Sequence, residues 1–194
     1  MTGAARPGPL VLVVGPSGSG KDTLIDAARR ALAGDPGVVF PRRDITRPAE
    51  AGGEDHAPVA VDEFRARRTA GAYALSWEAH GLGYGVSAGV LDDLAEGRTV
   101  VVNVSRGVID EARRLARVRV LSLTVPADVL RQRLAARGRE GAADIEARVA
   151  RAEAFSVTGR DVVTVVNDGS VESALARMLD AIRADAGRPA VSSN

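Results

Sequence analysis

Cysteine is absent from this 194-residue chain and histidine occurs only twice. Without thiolates there is no disulfide, no iron–sulfur cluster, no Cys-bound zinc and no cysteine nucleophile, and two imidazoles leave little for a His-based metal site. Excess charge is missing as well: 26 Lys and Arg stand against 25 Asp and Glu, a net charge of +1. Such a balance provides no global field for nucleic acid, so no nucleic-acid partner is expected. No run of about 18 apolar residues exists to cross a bilayer, so no membrane partner is expected either. Residues 1–9 lack the apolar stretch of about 7 to 15 residues that a secretory leader needs, which makes a cytoplasmic location the expectation. Lysine is nearly absent too, since Lys21 is the only one and every other basic residue is arginine. A lone lysine in such a chain marks a place where a compact ammonium is wanted.

The length and the 45% apolar content fit one domain of roughly 100 to 200 residues. A chain of this size buries about 70% of its unfolded surface and needs no covalent staples. Residues 1–9 and 186–194, rich in Gly, Pro and Ser, are expected to be flexible ends flanking a single domain over 10–185. The uninterrupted apolar run at 10–14 (LVLVV) reads as a strand buried on both faces. Further strands are expected at 38–40, 73–77, 99–104, 118–125 and 162–166. Helices are expected at 21–33, after Asp62, and at 88–96, 107–116, 127–137, 143–154 and 170–185, with a polar loop over 41–58. Strands alternating with amphipathic helices predict a three-layer α/β fold, a parallel sheet with helices on both faces. The Arg-rich pair of helices around 127–154, with the Gly-containing joint RGREGA, reads as a small mobile lid.

The strongest chemical signal is GPSGSGKDT, residues 15–23, between the first strand and the first helix. It matches the phosphate-loop pattern at Gly15, Gly20 and Lys21, with Gly18 also present, and departs from it where Asp22 replaces the usual hydroxyl. Gly15, Pro16, Ser17, Gly18, Ser19, Gly20 and the helix start would cradle phosphates through the backbone N–H groups that all but Pro16 possess, with Lys21 reaching the terminal ones. A Mg²⁺ contact is open between Thr23 directly and Asp22 through water. The strand TVVVNV carries Asn103 where many ATPases and GTPases place a magnesium-binding Asp, and no NKxD-like run is present. Motor ATPases and GTPases are thereby disfavoured, and phosphate transfer between small molecules remains. Arg137 and Arg148 flank the joint of the lid and are candidates for stabilising the moving phosphoryl group, while Arg131, Arg133 and Arg139 read as surface residues.

Six segments in fixed order carry a family resemblance: GPSGSGKDT, ITRPAEAGGEDH (45–56), LSWEAHGLGYGV (75–86), LRQRLAARGRE (130–140), IEARVARA (145–152) and NDGS (167–170). The chain resembles the guanylate-kinase-like branch of the P-loop nucleoside-monophosphate kinases and, within it, the ribose 1,5-bisphosphate phosphokinases. Arg47 and Tyr84 match the phosphate clamp of guanylate kinases, but the second arginine position reads Glu50, and the two guanine-reading positions fall on Ser76 and Val86. A pocket without those groups should not select guanine. The resemblance implies an ATP-dependent, Mg²⁺-requiring kinase that phosphorylates ribose 1,5-bisphosphate in phosphonate catabolism. It further implies acceptor contacts at Arg47, Glu54, His56, Ser76, Trp77, Tyr84, Asn103 and Arg106, and an adenine-side contact at Asn167. The competing readings are a guanylate kinase with altered base recognition and a non-catalytic interaction module. The intact loop lysine and glycines weigh against the module. The partners expected are ATP and a sugar bisphosphate, with a homodimer left open.

Overall fold

The computed structural model describes residues 6–49, 54–138 and 141–184. Glu50, Arg139, residues 1–5 and the tail 186–194 lie outside these, as does the side chain of Arg137. The central sheet is wholly parallel and runs in the order β2 (Val38–Val39), β7 (Thr99–Asn103), β1 (Leu10–Val14), β8 (Val118–Thr124), β9 (Val162–Val166). β1 sits in the middle, so both of its faces are covered, and every residue in it is buried. Alternation along the strand divides the core in two. Val11 and Val13 pack with Leu24 and Ile25 of α1 (Lys21–Ala31) and with Met178 and Ile182 of α7 (Val171–Arg183). Leu10, Leu12 and Val14 face Val90 and Leu94 of α3 (Val90–Ala95) and Ile109 of α4 (Ile109–Leu115), together with Leu75 and Trp77. A strand buried on two sides has no position for a polar residue, which is why LVLVV shows no alternation.

A second, four-stranded sheet lies beside this layer, in the order β4 (His56–Pro58), β3 (Arg43–Ile45), β6 (Leu82–Ser87), β5 (Tyr73–Ala79), and α2 (Val61–Thr69) packs on it. The residues expected to form a polar loop over 41–58 thus contain two short strands, and β6 is an element the sequence pattern does not announce. LGYGVS hides its strand character behind two glycines that are there for space. A side chain at Gly83 would meet the Phe64 ring at 2.6 Å, and one at Gly85 would meet the Tyr73 ring at 2.4 Å. Four of the chain's six aromatic residues, Phe64, Tyr73, Trp77 and Tyr84, belong to this small sheet and its helix. The β5–β6 turn uses His80 and Gly81, both at positive φ (53° and 76°), as a tight two-residue hairpin requires.

The expected lid is a helical hairpin, α5 (Ala127–Arg137) and α6 (Ala142–Glu153), with its own small core of Leu130, Leu134, Ile145 and Val149. Arg131 and Glu146 clamp the two helices from outside with paired contacts of 2.6 and 2.9 Å. The N-terminal segment departs from expectation. Gly8 and Pro9 are buried, and the Gly8 amide donates to Leu94 at 2.8 Å, so the chain is pinned to the domain two residues before β1.

The separation of the cores predicts unequal consequences. Met178→Ala, in the central core, should lower global stability by about 2–5 kcal/mol in urea unfolding. Leu134→Ala should instead raise amide exchange within α5 and α6 while shifting the global midpoint less. Equal shifts would show that the hairpin unfolds as one unit with the sheet.

Candidate active site

The carboxyl ends of β1, β7 and β9 converge on one edge of the parallel sheet, where α/β folds place their ligands. The loop after β1 turns through Gly18 and Gly20, at φ 88° and 84°, into α1. Gly20 is required twice over: its backbone is left-handed, and a Cβ would stand 2.6 Å from Asn167 Nδ2. Asn167 follows β9 and is buried. Its Nδ2 donates to the Ser19 carbonyl at 2.8 Å, and its Oδ1 accepts from Arg133 Nη2 at 3.3 Å. Lys21 Nζ folds back over the loop, donating to the carbonyls of Gly15 and Pro16 at 2.7 and 3.1 Å. Burial lowers the Lys21 pKa, and Asp22 is the largest influence opposing that shift.

Asn103, at the end of β7, joins this loop to the small sheet. Its Nδ2 lies 3.2 Å from Asp22 Oδ1 and 3.3 Å from Glu54 Oε2. Asp22 keeps an exposed edge, yet the protein crowded about its carboxyl raises its pKa and the neighbouring Glu54 raises it further. Glu54 also pairs with Arg43. The result is one chain of charge, from Lys21 through Asp22, Asn103 and Glu54 to Arg43, that connects the phosphate loop with the small sheet.

A cleft of ≈ 880 Å³ opens beside the loop, walled by Gly15, Pro16 and Ser17 on one side and by Arg106, Arg148, Arg151, His80 and Phe155 on others. Arg148 Nη2 donates to Ser17 Oγ at 2.7 Å, which carries α6 onto the phosphate loop, and the Arg106 guanidinium lies 5.1 Å from the Phe155 ring centre. Tyr84 and Trp77 stack with ring centres 5.3 Å apart on the face of the small sheet that joins the main core. Arg47 leaves Nε and Nη2 buried without a hydrogen-bond partner among the described residues. Thr23 is exposed on the first turn of α1.

Three residues have surroundings that the sequence pattern does not announce. His56 is buried, with Nδ1 3.0 Å from the Glu54 carbonyl and Nε2 3.1 Å from the Arg47 carbonyl, so whichever nitrogen carries the N–H donates to one of them and braces the loop carrying those residues. Ser76 pairs with Gly85 and shares its face with Glu78, which reaches Arg68 of α2. Alternation therefore sets Ser76 on the opposite face from Trp77. Asn167 has both ends of its amide engaged within the protein, so it shapes the phosphate loop.

A family model described as an AAA domain matches residues 10–157. A ribose 1,5-bisphosphate phosphokinase PhnN of Acidiphilium cryptum is 55% identical over 149 residues, covering 77% of this chain and 80% of that protein. One from Rhodopseudomonas palustris is 50% identical over 184 residues, covering 94% and 91%. The chain belongs to the ribose 1,5-bisphosphate phosphokinase family. The fold is that of a guanylate kinase: the crystal structure of the Anaplasma phagocytophilum enzyme aligns over 95% of this chain and 89% of its own, with a TM-score of 0.65 at 20% identity.

In this ribose 1,5-bisphosphate phosphokinase family member, sequence reasoning missed two arginines. Arg43 precedes the recognisable ITR segment and carries no motif of its own. Arg133 reads as one of several surface arginines on α5, yet it donates to Asn167 and, at 3.2 Å, to the Gly169 carbonyl, tying the hairpin to the segment behind the phosphate loop. Only its proximity to Asn167 in space, not in sequence, reveals this.

Two outcomes follow from the loop geometry. Asn167→Ala should cost about 1–3 kcal/mol of stability, as a buried carbonyl and guanidinium lose their partner. Asn167→Asp should do no better in the same thermal melt, because it keeps an acceptor for Arg133 but turns another acceptor toward Ser19. For pH, Lys21 must be charged to attract phosphate, and burial makes that charge costly. ATP affinity, followed by displacement of a fluorescent nucleotide, should therefore fall as pH rises through a value below the ordinary lysine pKa of about 10.4. Lys21→Met should bind weakly without that dependence.

Proposed function

We propose that this chain transfers the terminal phosphoryl group of ATP to the 1-phosphate of ribose 1,5-bisphosphate, giving ADP and 5-phospho-α-D-ribose 1-diphosphate. The observation that carries this reading is the cleft itself, in which a glycine-rich phosphate loop faces Arg106, Arg148 and Arg151. Three guanidiniums opposite a triphosphate cradle suit two phosphorylated molecules meeting end to end. The full-length relatives named as ribose 1,5-bisphosphate phosphokinases support the choice of acceptor, and their name supports a place in phosphonate catabolism.

In this reading the loop amides and Lys21 hold the β- and γ-phosphates of ATP, while Arg148 follows the moving phosphoryl group as α6 closes. Arg137, at the end of the same hairpin, is assigned the same task. Arg47, Arg106 and Tyr84 hold the acceptor, with Glu54 and Asn103 between the two substrates. The attacking atom is an oxygen of an already ionised phosphate, so no side chain has to remove a proton. Positioning and charge stabilisation then carry the rate.

The residues present also fit a magnesium ion. Asp22 and Glu54 come together through Asn103 beside Lys21, hard oxygen donors of the kind Mg²⁺ prefers. Among the described residues no group of three or more His, Asp or Glu forms a cage. Mg²⁺ in kinase sites is commonly held by one or two carboxylates plus substrate phosphates. Asp22, with Thr23 beside it, would hold the ion, which when bound neutralises charge on the phosphates of ATP.

The test is a coupled ADP-release assay offering ribose 1,5-bisphosphate and GMP separately, with phosphorus NMR of the product. The expected result is turnover with the sugar bisphosphate and a diphosphate signal at the anomeric position; faster turnover with GMP would overturn the assignment. Arg148→Ala should lower kcat by about 10²-fold or more while changing ATP affinity less.

A further inference from the structure

Arg43 opens β3 and is 8% exposed, an uncommon position for a guanidinium. Its central carbon lies 5.4 Å from the centre of the Trp77 ring and 5.3 Å from that of Tyr84, and the two rings are parallel within 2°. Near-equal distances from two parallel rings place the guanidinium across both. Register accounts for this placement: Ile45, Tyr84 and Trp77 form one cross-strand row, and Arg43, two residues from Ile45, shares that face. The pair with Glu54 holds the group there. A guanidinium is flat and stacks well on aromatic surfaces, so it takes the room that another flat cation or ring would need.

We infer that Arg43 determines acceptor choice: spread over Trp77 and Tyr84, it covers the stacked aromatic pair of the small sheet and so denies a nucleobase a place to stack. An incoming nucleoside monophosphate would have to displace a buried cation from two rings and from its carboxylate. A small polyanion would not. The charge of Arg43 instead stands in the small polar pocket that it shares with Asp22, Glu54 and Asn103 beside the phosphate loop. The second half of this inference, favour toward a sugar bisphosphate, rests on the acceptor proposed above. The first half, exclusion of bases, does not.

Trp77 is the only tryptophan in the chain, so its emission reports directly on that surface. GMP titrated into the wild-type protein should leave the emission unchanged. In Arg43→Ala it should quench, with binding tighter than in wild type by about tenfold or more. Arg43→Lys keeps a charge opposite Glu54 but is not flat, and should fall between the two. In kinetic assays the ratio of kcat/KM for GMP to that for ribose 1,5-bisphosphate should rise in the same order. Equal GMP affinity and equal emission in wild type and folded variants would overturn the inference, and so would quenching of the wild-type protein by GMP. If Arg43→Ala does not fold, the same titration on Arg43→Lys decides. Should the wild type fail to use ribose 1,5-bisphosphate, the proposed acceptor falls, while the GMP titration still decides the role of Arg43.

Discussion

The loop between β1 and α1 is enclosed by its neighbours before any ligand arrives. Gly18 lies under the lid hairpin, where a Cβ would touch Leu130 at 3.0 Å, and Gly20 lies against Asn167. The curl of the loop therefore depends on the absence of side chains on its outer surface as much as on backbone conformation. That enclosure ties the loop to three elements at once: α5 through Leu130, α6 through Arg148, and the end of β9 through Asn167. Arg133 closes the circuit between the hairpin and Asn167. The hairpin and the loop are thus joined through identifiable contacts.

Legibility from sequence followed the periodicity of burial. The five strands of the parallel sheet and the helices on its faces were evident because a strand covered on both sides is apolar throughout and a covering helix is apolar on one face. Leu10–Val14 and Ala127–Arg137 matched to the residue. The small sheet was largely hidden. β3 and β4 are three residues each, too short for a period to register, and β6 spends two of its six positions on glycines that make room for Phe64 and Tyr73. A strand selected for close approach of rings looks, as a string, like a turn.

The same distinction governed the site. Residues that work through the backbone or through a motif, such as Gly20 and Lys21, could be found from order alone. Those that work through a partner far away in the chain could not. His56 looked like a ligand contact because polar residues in glycine-rich loops often are, and the structure adds that its ring lies between the carbonyls of Glu54 and Arg47, which no spacing in the sequence announces. Arg43 looked like nothing, because its meaning comes from rings 34 and 41 positions further on, brought beside it by strand pairing.

Asn103 shows how far a single substitution in a motif can be read. Its amide stands where a carboxylate serves magnesium in many ATPases, and an amide alone is a poor ligand for that ion. Yet an amide can do what a carboxylate on the same strand could not: it can sit between two other carboxylates without repelling them. Asp22 arrives from the phosphate loop and Glu54 from the segment before β4, and Asn103 donates toward both. A carboxylate in its place would make three like charges within hydrogen-bonding range, beside an Asp22 whose proton affinity is already raised by burial and by Glu54. The negative charge that the strand lacks stands instead on the two segments that flank it. The charge beside the phosphate loop is consequently set in part by Glu54 from the segment before β4, and Arg43, which pairs with that same Glu54, ties the small sheet to the electrostatics of the loop.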